Sequence, residues 1–326
     1  MRPWSAAWAE AAQIFWSAER PADHFRTSVS DALADRMVAE AVDLDIRLGR
    51  PEIFTVVDIG AGDGDLLCRI RSGVPRDLAK RLRLLGVDLR ADHRDGIDWI
   101  VGIAPGADVA RDIGSVTGLV MAHEWLDEIA CDVVERAPDG VDRLVLISDD
   151  GDEQLGPALS DSDGCAQYGV DGPESRRWLE RWWPLADPGD RAEIGSARDA
   201  AWVWLTGLVE RGAVVATDYG HTADDRHRRH RFGSLVAYRH GQLVAPTPDG
   251  TVNLTAHVAV DSCAARVPRS TVHSQREMLH GVTQPLPETV FGADYARALA
   301  RQSEIARLRD PRGAGAFAWL RWEFMS

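Results

Sequence analysis

Three glycines at alternate positions form the clearest candidate for a ligand-binding turn in this chain. They are Gly60, Gly62 and Gly64, and Asp58 precedes them near the end of an apolar run. Glycine lets a ligand approach the backbone closely because no Cβ stands in the way, and such turns hold either a dinucleotide or S-adenosylmethionine. The dinucleotide fingerprint is GxGxxG, with the pyrophosphate at a helix N-terminus. The third glycine here does not fall at that spacing, which disfavours a dinucleotide.

Acidic residues around the turn bear on the same choice. Asp63 and Asp65 would repel a pyrophosphate, whereas their carboxylates suit a cofactor that carries an ammonium and a sulfonium. Asp88 ends the next predicted strand and is placed to accept hydrogen bonds from ribose hydroxyls, a role common to both cofactor classes. We therefore predict an S-adenosylmethionine site made by the following residues: Asp58, Gly60, Gly62, Gly64 and Asp88.

A second group of candidate residues follows a later predicted strand. Glu124 and Asp127 are three positions apart, so on a helical turn they would share a face and could bind a guanidinium through charge-assisted hydrogen bonds. Equally, Asp127 could cap a helix while Glu124 bonds backbone amides. His123 and Glu124 begin an HExxH pattern, but Asp127 stands where the second histidine would be, so no metal site is predicted.

The remaining candidates are spread over the C-terminal half. Asp218 and Tyr219 end another predicted strand, either as a wall of the substrate pocket or as a simple strand-end turn. His257 and Gln275 could reach a substrate from further along, although a lone histidine is more often a hydrogen-bonded structural residue. The predicted catalytic residues are Glu124, Asp127, Asp218 and Tyr219. The predicted substrate-binding residues are His123, His257 and Gln275.

The elements that must position these residues alternate between strands and helices. Helical spacing of apolar residues predicts helices near the N-terminus at 3–19 and 30–48. Short β-rich runs, each followed by a turn, predict buried strands at 53–59, 82–87, 99–103, 118–122 and 214–217. This alternation indicates an α/β protein with a doubly wound, Rossmann-like sheet.

Three regions follow from this pattern. We expect an N-terminal helical cap over 1–50, a Rossmann-like core over 51–220 and an α+β addition over 221–326. An insertion at about 131–190 would begin with a hairpin around Asp139-Gly140. Within it, 149–173 is rich in Asp, Gly, Ser and Pro and predicts a loop or an insertion. The cationic run at 226–231 is most simply a solvated loop.

Composition limits the possible partners and compartments. The formal net charge is −14, which disfavours nucleic acid and anionic membranes as partners. The four cysteines show no CxxC spacing, so free thiols in a reducing cytoplasm are expected. No apolar run approaches the ~20 residues that span a bilayer, and the N-terminus lacks a signal-peptide pattern. A cytoplasmic protein is expected. Its oligomeric state stays open, and a homodimer is one possibility.

Six short motifs in order carry a closer resemblance. They are Phe-Arg-Thr-Ser at 25–28, Ala-His-Glu-Trp-Leu-Asp-Glu at 122–128, Glu-Ile at 193–194, Thr-Asp-Tyr-Gly at 217–220, Asn-Leu-Thr-Ala-His-Val at 253–258 and Ser-Gln at 274–275. Together with the glycine turn they resemble the MidA family of class I S-adenosylmethionine-dependent methyltransferases, over roughly residues 20–285. The chain departs from the family at His123, where Asn is usual, and at Ala259, where the family has a carboxylate.

The resemblance implies a class I methyltransferase sheet with S-adenosylmethionine as cofactor, Arg26 and Thr27 closing over it from the N-terminal segment. It also implies a nitrogen acceptor such as a protein arginine, because the family includes the mitochondrial complex I assembly arginine methyltransferase. Two alternatives stay open: a small-molecule, biosynthetic methyltransferase, and an assembly factor that binds the cofactor without turnover. A dehydrogenase is disfavoured by the glycine spacing.

Overall fold

The computed structural model describes residues 1–18, 29–91, 94–286 and 291–325. The chain divides into two compact units. The sheet unit comprises Thr27–Glu124, Trp204–Asp218 and Arg269–Ser326. The insert unit comprises Met1–Arg26, Trp125–Val203 and Tyr219–Pro268. The earlier division into cap, core and C-terminal addition stays a prediction.

A seven-stranded sheet organises the sheet unit. Its strands are numbered here in chain order: β1 Phe54–Ile59, β2 Leu82–Asp88, β3 Asp98–Val101, β4 Val116–His123, β5 Val209–Asp218, β6 Thr271–Ser274 and β7 Ala318–Phe324. The spatial order is β6-β7-β5-β4-β1-β2-β3. Strands β1 to β5 pair in parallel, whereas β7 is antiparallel to β5 and β6 is antiparallel to β7. The predicted Rossmann-like sheet is confirmed.

Helices cover this sheet and bury its apolar strands. Their bounds are Asp31–Arg47, Asp65–Gly73, Arg76–Ala79, Ala107–Ile113, Gln275–Met278 and Ala293–Leu308, with a 3₁₀ turn at Ala314–Ala316. Every residue of β1 is buried, as expected for a central parallel strand covered on both faces. Leu44, Leu67 and Trp319 pack in the same core as β1. Each such buried side chain contributes about 2 kcal/mol.

The insert unit has a five-stranded antiparallel sheet. Its strands are Arg2–Pro3, Asp132–Arg136, Asp142–Ile147, Glu153–Ala158 and Arg191–Ile194. The predicted hairpin is confirmed, with Gly140 at φ 78° between its strands. Smaller sheets join Gly220–His221 to Val258–Ala259 and Val236–Arg239 to Gln242–Val244 and Asn253–Thr255. The helices are Trp4–Ala18, Ser162–Ala166, Gly172–Trp182, Ala223–Arg229 and Val260–Arg266. The helix Ser196–Gly207 carries residues of both units.

Two predicted loops are wrong. The segment 149–173 contains an edge strand and a short helix, because polar and glycine-rich residues are tolerated where only one side of a strand is paired. The cationic run forms the helix Ala223–Arg229, in which Arg226 is only 1% exposed. Its charge is compensated inside the unit by Asp261, which the linear sequence does not show. No described helix combines the length with the apolar composition that a membrane span requires.

Candidate active site

The strand order of the sheet unit reverses next to the glycine turn. The chain passes from β1 to β2 and β3 on one side and then returns to β4 on the other side of β1. Ligands of open α/β sheets bind outside the carboxyl ends of the strands at such a reversal. The glycine turn follows β1, and His123 ends β4, so both lie at this point.

The turn needs glycine for two reasons: its backbone has positive φ values, and the absence of a Cβ leaves space beside it. Gly60, Gly62 and Gly64 have φ values of 74°, 56° and 76°, which L side chains rarely adopt. A Cβ added at Gly62 would have no heavy atom within 4 Å, so open space borders the turn there. The backbone of Gly60 donates to the carbonyl of Val87 at 2.9 Å, which ties the turn to β2.

Two carboxyl groups lie beside this turn, Asp88 half-buried and Asp58 buried. Asp88 accepts the backbone N–H of Gly62 at 2.8 Å and that of Leu89 at 2.7 Å. Burial raises the pKa of Asp88, and these hydrogen bonds oppose the rise. Asp58 is 3% exposed, and burial raises its pKa to about 7; the nearby His123 lowers it and Asp88 raises it further.

The two acidic residues used against a pyrophosphate turn out to be compensated. Asp63 accepts from the backbone N–H of Asp65 at 3.0 Å and from Arg94 at 2.6 Å. Asp65 accepts from Arg69 at 2.7 Å. The turn therefore does not present two bare carboxylates, and the electrostatic argument from the sequence is wrong in that respect.

Sequence reasoning missed Trp99 as part of this site. A Cβ on Gly86 would lie 2.8 Å from Cζ3 of Trp99, and one on Gly64 would lie 3.1 Å from its Cζ2. The indole thus fills the space left by two glycines, one in β2 and one in the turn. Its Nε1 is buried and has no hydrogen-bond partner among the described residues. A glycine inside an otherwise apolar strand was the available signal.

Glu124 directly follows β4 in a strained backbone conformation. Its φ is 50°, uncommon for a residue other than glycine, and such strain is often found at functional sites. Its Oε1 lies 3.2 Å from Nε2 of His123, and both side chains are about 10% exposed or less. Its backbone N–H donates to Thr217 on the neighbouring strand, next to the buried Asp218.

Two other predicted catalytic residues, Asp127 and Tyr219, belong to the insert unit. The segment 124–130 forms turns rather than a helix, so neither the shared helical face of Glu124 and Asp127 nor the helix cap was right. Asp127 is 5% exposed and accepts from Thr255 at 2.7 Å. The ring of Tyr219, which is 37% exposed, lies 5.8 Å from that of His257.

Histidines cluster behind Tyr219. The ring of His230 lies 4.8 Å from that of His257 and 4.9 Å from that of His221. Burial lowers the pKa of His257 to about 4 and that of His221 to about 2, and it also lowers that of His230. Arg226 donates to Nδ1 of His221, which leaves the ring proton on Nε2. Neither His221 nor His230 was a sequence candidate.

Three predicted residues remain. Gln275 is 1% exposed, and its amide donates to the carbonyls of Leu308 and Ala314 and accepts from Trp319. The polar atoms of the Gln275 side chain are therefore hydrogen-bonded within the protein, which disfavours contact with a substrate. Arg26 and Thr27 lie outside the described residues.

Comparison with known proteins gives the family. A family model described as "Putative S-adenosyl-L-methionine-dependent methyltransferase" matches residues 38–276, from the first sheet-unit helix to Arg276. The chain belongs to this family. It is an S-adenosylmethionine-dependent methyltransferase, and the predicted enzyme class and cofactor are confirmed. A search of the curated proteins gives no match.

Solved structures share the fold of this methyltransferase. A COG1565 superfamily member from Burkholderia thailandensis, crystallised with S-adenosylhomocysteine, is 20% identical with a TM-score of 0.73; the alignment covers 99% of this chain and 87% of that one. An uncharacterised COG1565 superfamily protein from the same organism is 17% identical with a TM-score of 0.68, covering 98% and 93%.

Proposed function

We propose that this methyltransferase transfers the methyl group to a nitrogen nucleophile, a protein arginine side chain. The observation that carries the proposal is the position of Glu124. Its carboxylate is nearly buried, its backbone is strained, and it follows β4 where the strand order of the sheet reverses. Asp218 ends β5, the strand paired with β4, so two acidic side chains, those of Glu124 and Asp218, follow neighbouring strands at one sheet edge. A cationic guanidinium is the acceptor that such an edge would bind best.

The cofactor site proposed here is formed by the glycine turn, Asp58 and Asp88. Its support is the open space beside Gly62 together with the Asp88 carboxylate fixed next to it. The Burkholderia protein of the same fold was crystallised with S-adenosylhomocysteine, which also supports a site of this kind. Arg26 and Thr27 stay predictions from the family resemblance.

The bound cofactor would supply an electrophilic methyl group on a positively charged sulfur. Transfer would form an N–C bond and break the C–S bond, whose electron pair stays on the sulfur, and the proton lost by the acceptor nitrogen would pass to the Glu124 carboxylate. The protein's task is chiefly alignment. Glu124 would orient the guanidinium through charge-assisted hydrogen bonds, with His123 holding the carboxylate at 3.2 Å.

On the insert unit, Asp127, Tyr219 and His257 are the proposed acceptor-side residues. Thr255 fixes the Asp127 carboxylate. The neutral ring of His257 offers a nitrogen that can accept a hydrogen bond from an N–H group. Burial keeps this imidazole uncharged at neutral pH, so it does not repel a cationic acceptor.

The deciding experiment is transfer of radiolabelled methyl from S-adenosylmethionine into cell lysate, resolved into protein and small-molecule fractions. We expect label in protein, released on acid hydrolysis as methylated arginine. Label in another amino acid, or only in small molecules, would contradict the acceptor. Absence of transfer beside normal S-adenosylhomocysteine binding would instead favour an assembly factor. Glu124→Gln is the matched loss-of-function control.

A further inference from the structure

Arg198 is one of the largest fully buried side chains, at 2% exposure in the insert unit. Its guanidinium donates four hydrogen bonds, all to backbone carbonyls. These go to Ile129 at 3.1 Å, Ala256 at 2.9 Å, His257 at 2.9 Å and Asp127 at 2.7 Å. The four carbonyls belong to two irregular segments, 127–129 and 256–257, that are far apart in sequence.

No carboxylate within the described residues forms an ion pair with Arg198. The guanidinium carbon instead lies over the ring of Trp8, 5.6 Å from its centroid. A buried charge is costly unless it is well hydrogen-bonded, and four carbonyl dipoles satisfy it here. A purely structural link between two loops would be cheaper with a neutral side chain, so the retained charge calls for an explanation.

The two segments held by Arg198 each carry a proposed acceptor-side residue. The backbone carbonyl of His257 accepts a hydrogen bond from Arg198. The backbone N–H of His257 donates to Ser234 Oγ at 3.0 Å. Glu193 in turn accepts from the Ser234 hydroxyl at 2.9 Å. The backbone of His257 is therefore held from both sides. Its Nδ1 is buried and has no hydrogen-bond partner among the described residues.

We propose that Arg198 is a positioning residue for the methyl acceptor: its hydrogen bonds fix the backbone of Asp127 and of His257. This rests on the proposed function, in which His257 contacts the acceptor. Nδ1 of His257 is then an acceptor for an N–H donor of the substrate, the chemistry of an amine or guanidinium.

The charges around His257 agree with this assignment. Its ring faces His230 and Tyr219, and its carbonyl faces Arg198. Glu193 is one hydrogen bond further away through Ser234. The lowered pKa of His257 comes first from burial, then from His230 and then from Arg198. Removing the Arg198 charge should therefore raise the pKa of His257 without touching its ring.

Two variants separate geometry from charge. Arg198→Lys keeps a positive charge but cannot make the four-bond fork, whereas Arg198→Gln removes the charge. NMR titration of histidine-labelled protein, with His257→Asn to assign the signal, follows the ring directly and needs no acceptor. We expect the His257 midpoint to rise in Arg198→Gln and to rise less in Arg198→Lys, which keeps the charge.

Methyl transfer into lysate protein supplies the second measurement. We expect Arg198→Lys to lower transfer by at least about tenfold while S-adenosylhomocysteine affinity stays within about twofold of wild type. Arg81→Lys is the matched control, because Arg81 also binds a backbone carbonyl, that of Pro51, and lies in the sheet unit. It should leave transfer unchanged.

Identical His257 titrations in wild type and Arg198→Gln, or full transfer by Arg198→Lys, would overturn the proposal. If Arg198→Gln does not fold, Arg198→Lys decides alone through its transfer rate at unchanged cofactor affinity. If the wild-type protein labels no protein, the proposed function fails, yet the titration still tests the electrostatic role of Arg198.

Discussion

The carboxylate of Asp88 at the end of β2 accepts the backbone N–H of Gly62 in the turn after β1, at 2.8 Å. Its other oxygen accepts from Leu89 at 2.7 Å. Asp88 thus shapes the turn as well as facing the proposed cofactor. A carboxylate oxygen can accept more than one hydrogen bond, so both roles are compatible.

Asp88→Asn should weaken cofactor binding strongly. Asparagine has one carbonyl oxygen, and its NH2 group would face a backbone N–H that now has no acceptor. We expect S-adenosylhomocysteine affinity, measured by calorimetry, to fall at least about tenfold, which is about 1.4 kcal/mol. The exposed Asp77→Asn, in the same unit, should bind as wild type does. Wild-type affinity in Asp88→Asn would remove this residue from the site.

Gly62→Ala tests whether the turn is a ligand site or only a tight bend. Gly62 and Gly49 have φ values of 56° and 77°, and an added Cβ meets nothing within 4 Å at either. Alanine at either position should therefore cost about 1 kcal/mol of unfolding free energy from backbone strain. Only Gly62→Ala should also weaken S-adenosylhomocysteine binding. Equal binding by both variants would show that the space beside Gly62 holds no ligand.

Glu124→Gly should separate stability from activity. Glycine relieves the left-handed strain at φ 50°, so we expect thermal unfolding to show a stability equal to wild type or higher by about 1 kcal/mol. Methyl transfer should fall by at least about 100-fold because the carboxylate is lost. Arg50→Gly, at φ 55° in the same unit, is the control that relieves strain and keeps activity. A fully active Glu124→Gly would exclude Glu124 from the reaction.

The raised pKa of Asp58 predicts a pH-dependent contribution to stability. Between the ordinary value of 3.8 and about 7, the folded state keeps the proton and the unfolded state releases it. Stability from this group therefore falls as pH rises, by about 1.4 kcal/mol per pH unit within that window. In urea unfolding, Asp58→Asn should gain stability relative to wild type from pH 5 to pH 7. A constant difference across that range would contradict the assignment.

Local sequence determined much of the sheet unit. The glycine turn, Asp88 and the parallel strands were predictable because close backbone approach demands glycine and buried parallel strands demand continuous apolar runs. The family resemblance then gave the cofactor and the enzyme class. The turn and the apolar runs depend on residues that are neighbours in the chain, and the resemblance depends on the order of short motifs.

Only the tertiary structure decided the partners of the side chains. Trp99 fills the space beside Gly64 and Gly86, Gln275 serves the core, and Arg226 is buried against Asp261 rather than solvated. Arg198 joins two segments more than a hundred residues apart. The reason is physical. A polar side chain is available to a substrate only if the fold does not bring other carbonyls or charges within hydrogen-bond distance of it. Those partners are distant in sequence, so residue spacing does not predict them.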